Sequence, residues 1–152
     1  MIVGEFCNRQ VVIARRDEYI TVAARRMRDL HVGTLVVVDE QDGRRIPVGL
    51  VTDRDLVVRV LSDGARHVDA LILANVMSAE PVTAREEDSL WDVIKKMRSF
   101  GIRRLPVVND QGGLEGILTF DDLIDLVAEE LSDLSTLVSR EQKRERETKS
   151  PL

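Results

Sequence analysis

Two short stretches of this chain carry residue types that could hold a ligand. Gly49-Leu50-Val51-Thr52-Asp53-Arg54-Asp55-Leu56 and Gly116-Ile117-Leu118-Thr119-Phe120-Asp121-Asp122-Leu123 share one pattern: glycine, two apolar residues, threonine and, three residues on, aspartate. An apolar strand that ends at threonine and turns straight into a helix leaves backbone N–H groups and a partial positive charge at the helix start. A phosphate is stabilised at such a terminus, and the threonine hydroxyl adds a donor. An ionised carboxylate one turn along accepts from both hydroxyls of a ribose. The leading glycine admits a ring or a backbone at close range. The same spacing also makes a capping box, in which threonine and acid satisfy the helix start themselves. Two copies in matching contexts favour binding at Thr52 with Asp55 and at Thr119 with Asp122, although a cap and a ligand contact can share one threonine.

The elements that position these residues are written twice. Ile20, Ala23, Ala24, Met27 and Leu30 form the i, i+3, i+4, i+7 stripe of an amphipathic helix, and Leu90, Val93, Ile94, Met97 and Phe100 repeat it 70 residues later. Val32 to Val38 and Ile102 to Val108 follow at the same offset and read as buried strands. Glycine turns lead to second strands at Val48–Val51 and Leu114–Leu118, then to second helices over 53–63 and 121–131. Each repeat therefore reads strand–helix–strand–strand–helix. The expected fold is α/β, with two β-α-β-β-α repeats packed about a pseudo-twofold, because neither half holds much core alone. The repeats span 5–64 and 76–131. A linker at 65–75 carries the helical stripe Val68, Leu71, Ile72 and Val76, and 132–152 is a charged helical tail fraying at Ser150-Pro151-Leu152.

Composition narrows the function. A net charge of −5 and 3% aromatic residues argue against nucleic-acid binding, which needs a basic surplus or stacking platforms. The single cysteine, Cys7, forms no internal disulfide, and His31 and His67 lack ligand-spaced neighbours, so no metal site is expected. No basic-then-apolar leader and no apolar run of membrane length is readable, so the expected location is cytoplasmic, with no membrane partner. No Cys/His or Ser/His arrangement for catalysis stands out.

Several motifs resemble the CBS (cystathionine-β-synthase-type) domain. Asn75-Val76-Met77-Ser78-Ala79-Glu80-Pro81-Val82-Thr83 is similar to its opening, Arg104-Leu105-Pro106-Val107-Val108 to its middle strand, and the two Gly-h-h-Thr-x-x-Asp stretches to its closing signature. Phe6-Cys7-Asn8-Arg9-Gln10-Val11-Val12 departs from the opening pattern. The tandem covers about residues 5–131. The resemblance implies a regulatory module, not an enzyme, that binds AMP, ADP or ATP, or else S-adenosylmethionine or NAD, in two clefts between the repeats. It further implies a homodimer and, for a module without a catalytic domain, a protein partner that receives the signal. The rival reading is a ligand-free dimerisation or scaffold module whose Thr-x-x-Asp motifs only cap helices.

The resemblance also assigns site residues. A basic residue before the Leu-Pro-Val strand reaches the phosphates, which gives Arg104 to the cleft of Thr119 and Asp122; Thr34, at the matching place, leaves the other cleft without that cation. The Thr119 cleft is therefore expected to bind more tightly. Cys7, Val12, Val32 and Gly33 would flank the adenine there, and Met77, Val82, Ile102 and Arg103 would do so in the Thr52 cleft. Val12, Val32, Val82 and Ile102 also suit a core, and Cys7 suits a small buried apolar site. Tyr19 and Trp91 sit beside the helix stripes, as for a dimer surface or a helix contact, and Pro106 marks a strand edge or start.

Overall fold

The computed structural model of the chain describes residues 1–64 and 66–149; Ala65 in the linker and the expected frayed end, Ser150 to Leu152, lie outside them. Two units are distinguishable, Met1–Leu118 and Thr119–Leu152.

In the first unit, β1 (Ile13–Ala14) precedes helix α1 (Ile20–Leu30), which buries Ile20, Ala23 and Met27 from its apolar stripe. Strands β2 (Thr34–Gln41) and β3 (Arg44–Thr52) form an antiparallel pair, with Thr34 opposite Thr52. Helix α2 (Asp53–Leu56) continues as a π-helical turn, Val57–Leu61. The linker is not one helix. A 3-10 turn at Val68–Ala70 is followed by extended Leu71 and Ile72 and then by one helical turn, α3 (Leu73–Val76). His67 takes a left-handed conformation (φ 59°), which breaks the helix that the apolar stripe suggested.

The second repeat follows with β4 (Ser78–Ala79), β5 (Ala84–Arg85), helix α4 (Leu90–Phe100), β6 (Arg104–Val108) and β7 (Leu114–Thr119). α4 matches α1 residue for residue at the offset of 70. α4 ends at Gly101 (φ 64°) and α1 at His31 (φ 53°), the left-handed residue that closes many helices. The strands make two sheets, β1-β2-β3-β4 and β5-β6-β7. Pro106 is buried inside β6, the middle strand of its sheet, rather than at an edge. The sheet accommodates it by starting later: β1 pairs with β2 from Val36 on, whereas β5 pairs with β6 only from Val107, one place past the proline that has no N–H to give.

The repeats exchange their opening segments. Leu73 N–H donates to the Glu18 carbonyl (2.9 Å) and Ala74 N–H to that of Arg16 (2.9 Å). Seventy positions earlier, Val3 N–H donates to Asp88 (3.0 Å) and Gly4 N–H to Glu86 (2.9 Å). Leu73 and Val76 thus enter the core of Ala23, Met27, Leu35, Val37 and Val51 in the first repeat, and Val3 is fully buried. β4 pairs with β3, and Asn8 and Ile117 make the matching antiparallel bridge, with both hydrogen bonds at 2.9 Å. This reciprocity is the pseudo-twofold expected from the repeat.

The second unit is almost wholly helix α5 (Phe120–Thr148). The helix expected over 121–131 and the charged tail are one continuous element.

Candidate functional site

Both Thr-x-x-Asp motifs fold as complete capping boxes. Asp55 N–H donates to Thr52 Oγ1 (3.1 Å), while Asp55 Oδ2 accepts from Thr52 N–H (2.8 Å) and from its hydroxyl (3.0 Å). In α5, Asp122 N–H donates to Thr119 Oγ1 (3.2 Å), and Asp122 Oδ2 accepts from Thr119 N–H (3.1 Å) and its hydroxyl (2.6 Å).

The start of α2 differs from the sequence expectation. Asp53 N–H bonds the Gly33 carbonyl (3.1 Å), Arg54 N–H bonds Asp53 Oδ1 (2.8 Å), and Asp55 N–H is held by Thr52. The first-turn donors that were to receive a phosphate are already satisfied. The carboxylate keeps capacity instead, because the cap engages only Oδ2. Asp55 Oδ1 lies 3.6 Å from Arg59 Nε.

A hollow of about 330 Å³ opens beside this cap. Leu50 and Thr52 of β3 and Asp55 of α2 form one side, Ser78 and Ala79 of β4 lead into Glu80, Pro81 and Val82, and Ile102 and Arg104 complete the wall. Its volume lies near the lower end of small-molecule sites, roughly 300–1,000 Å³. Val82, Ile102, Leu50 and Pro81 offer apolar surface to a flat ring, Asp55 offers an acceptor and Arg104 a cation. Arg104 Nη1 donates to Thr34 Oγ1, which tethers the guanidinium to the first repeat. A second concavity, about 200 Å³ between α1 and α2, is lined by Ile20, Ala24, Leu56, Val57, Val60, Leu61 and Val68 with Thr21 as its one polar residue, and it presents no charged group to a ligand.

Arg104 therefore lines the hollow of Thr52 and Asp55, where the sequence reading gave it to the cleft of Thr119 and Asp122. β2 and β6 begin close enough for the Arg104 side chain to reach Thr34, and Thr34 stands opposite Thr52 in the β2–β3 ladder. Thr34 does not leave this hollow without a cation, as the sequence suggested; it holds one there.

A family model described as the CBS domain matches residues 3–62 and again 73–129. The chain belongs to the CBS-domain family. An uncharacterised protein of Methanopyrus kandleri is 38% identical over 122 residues, covering 80% of this chain but 60% of that protein, so the chain spans under two thirds of this relative. An uncharacterised Bacillus subtilis protein, YlbB, is 36% identical over 79% of this chain and 82% of its own length. Among solved structures, the CBS domain pair of protein MJ0100, in complex with 5'-methylthioadenosine and S-adenosyl-L-methionine, has a TM-score of 0.72 at 24% identity, covering 86% of this chain and 98% of that one. Arabidopsis thaliana CBSX2 in complex with AMP has a TM-score of 0.71 at 24% identity, covering 84% and 96%.

The remaining residues singled out by sequence sit as follows. Val12 and Val32 pack against the core of the first CBS repeat; the Val12 carbonyl accepts from Val36 N–H (3.0 Å), and Val32 N–H donates to Met27 (3.0 Å). The leading glycines admit backbone and sulfur from the opposite CBS repeat. A Cβ on Gly49 would lie 2.5 Å from Met77 Sδ and 3.2 Å from the Ser78 carbonyl. A Cβ on Gly116 would lie 2.7 Å from Cys7 Sγ and 3.0 Å from the Asn8 carbonyl. Met77 and Cys7 are thus equivalent packing residues, and burial pushes the Cys7 thiol above the ordinary cysteine value. Arg103, unlike Arg104, is not part of the hollow's lining. Trp91 and Tyr19 are both more than half exposed. Among the described residues, no group of three His, Cys, Asp or Glu side chains could hold a metal ion, and no helix is long and apolar enough to cross a membrane.

Leu50, Ser78, Ala79, Glu80 and Pro81 of the lining escaped the sequence reading, as did Arg59 beside it. Arg59 donates to the carbonyls of Val76 (2.9 Å) and Met77 (3.2 Å) and to Ser78 Oγ (3.3 Å), fastening α2 to the wall of the hollow. Its signal was its place one turn after Asp55. Glu80, in a left-handed conformation (φ 50°), turns the chain along the hollow's edge.

Proposed function

We propose that this chain is a non-enzymatic regulatory module that binds an adenosine-containing nucleotide, of the AMP, ADP or ATP class, beside Thr52 and Asp55. The carrying observation is a carboxylate and a guanidinium facing one hollow with an apolar wall. Asp55 accepts from the ribose hydroxyls, Arg104 pairs with phosphate, and the base lies against Val82 and Ile102. The complexes of MJ0100 with adenosine derivatives and of CBSX2 with AMP support an adenosine ligand. Arg104 favours the phosphorylated ones and makes this the tighter position. The cap at Thr119 likewise engages only Oδ2 of Asp122, which leaves Oδ1 for a second, weaker sugar anchor there. Val57, Val58 and Leu61 on the π turn after α2, with Trp91 and Phe100 on α4, remain exposed and suit a homodimer face. Because Arg104 touches Thr34, a bound phosphate acts on both repeats at once. It shifts their balance by its differential affinity for the two states and signals to a partner protein.

The completeness of both capping boxes favours a second reading, a scaffold whose motifs serve only as caps. Thermal unfolding with and without millimolar AMP, ADP, ATP or S-adenosylmethionine separates the two. A nucleotide at a hundred times its Kd adds about 2.7 kcal/mol. A midpoint unmoved by every adenosine compound supports the scaffold.

A further inference from the structure

We propose that α5 pairs antiparallel with α5 of a second copy of this chain. Ile124, Val127, Leu131, Leu134 and Val138 recur at alternating steps of three and four, the seam of a coiled coil, and every one of them is exposed. Leu131, Leu134 and the neighbouring Leu137 are 61%, 59% and 65% exposed. Such a stripe on a 29-residue helix has no cover within its own unit.

Charge selects the occupant and its direction. From Phe120 to Val138 the helix carries six carboxylates and no basic residue. From Ser139 to Thr148 it carries four basic residues and three acids. Parallel pairing would align like with like. Antiparallel pairing with Leu131 against Leu134 of the second copy places Val127 against Val138 and runs Asp122 and Asp125 alongside Lys143 and Arg140. Opposed helix dipoles favour the same direction. The seam ends where Ile124 meets Glu141. The apolar area covered is on the order of 500 Å² per chain, about 1,000 Å² for the pair, which suits a weak, concentration-dependent contact.

This proposal does not depend on nucleotide binding. Sedimentation equilibrium of the full chain, over rising concentration, compares the wild type with the double variant Leu131→Asp, Leu134→Asp; Thr136→Asp, away from the seam, controls for added charge, and circular dichroism for helix content. Any dimer made by the first unit is common to all three. The wild type and Thr136→Asp are expected to associate at concentrations at least about tenfold lower than the double variant. Equal association constants for all three would overturn the proposal. Direction is read by zero-length carbodiimide cross-linking of mixed ¹⁴N and ¹⁵N chains. Mixed-isotope links from Lys143 to Asp122 or Asp125 support antiparallel pairing. Mixed links from Lys143 only to Glu141, Glu145 or Glu147, or no mixed links, would refute it.

Discussion

Arg104 donates a hydrogen bond to Thr34, the residue seventy positions earlier that holds the matching place in the first repeat. The two equivalents have thus diverged into donor and acceptor, and the contact carries the cation of one repeat to the cap of the other. Replacing Thr34 with Val removes the tether without touching the charge. A guanidinium has five N–H donors, so Thr34 positions it without competing for phosphate. Losing a hydrogen bond worth about 0.5–1.5 kcal/mol should weaken AMP roughly twofold to tenfold and leave adenosine unchanged. Titrations of the two ligands check this; equal losses for both would point to a general disturbance.

Asp55 serves the cap and, on the proposed reading, the sugar, and two substitutions separate these roles. Asp55→Asn keeps an oxygen for Thr52 N–H, so stability should hold while nucleotide affinity drops. Asp55→Ala removes the carboxylate half of the capping box, leaving Thr52 Oγ1 on the residue-55 N–H, and should cost about 1 kcal/mol in denaturant unfolding. Unaltered nucleotide response in both variants would assign Asp55 to the cap alone.

The glycine ahead of the cap is fixed by packing. Gly49→Ala would push a methyl group to within 2.5 Å of Met77 Sδ, at the β3–β4 pairing. An overpacking cost of about 1–3 kcal/mol is expected. A double-mutant cycle with Met77→Ala should show strong coupling, since the shorter side chain makes room. Additive losses would contradict the contact.

Cys7 should react slowly. Burial raises its thiol, so at neutral pH less thiolate is present than on an unfolded chain. The sign for stability follows: the fold disfavours the thiolate, so stability falls as pH rises past the ordinary cysteine value. Alkylation by iodoacetamide against pH should have a higher midpoint for the folded protein than in urea; coincident midpoints would contradict a thiol partly desolvated by the fold.

Much of this architecture was legible because it repeats. The stripe from Ile20 to Leu30 and its copy from Leu90 to Phe100 give helix boundaries directly, and Thr52 and Thr119 mark where strands become helices. The exchange of opening segments was hidden, because Met1 to Glu5 and Leu71 to Asn75 share little beyond an apolar pattern, and only hydrogen bonds across the repeats equate them. The hollow that Arg104 joins was likewise unreadable: it depends on which strands begin side by side, a tertiary fact. The helix start at Asp53 looked open to phosphate, since no local pattern announces that the Gly33 carbonyl closes it. At α5, an apolar seam runs straight into a charged tail, and no residue between them marks the two as one helix.

The most direct test of nucleotide recognition is calorimetric titration of AMP into the wild type and into Arg104→Met. Saturable heat is expected for the wild type, with affinity about tenfold to a hundredfold lower in the variant, the loss of one charge-assisted contact. No heat from well-folded wild type, or equal affinity in both proteins, would contradict a phosphate site at Arg104.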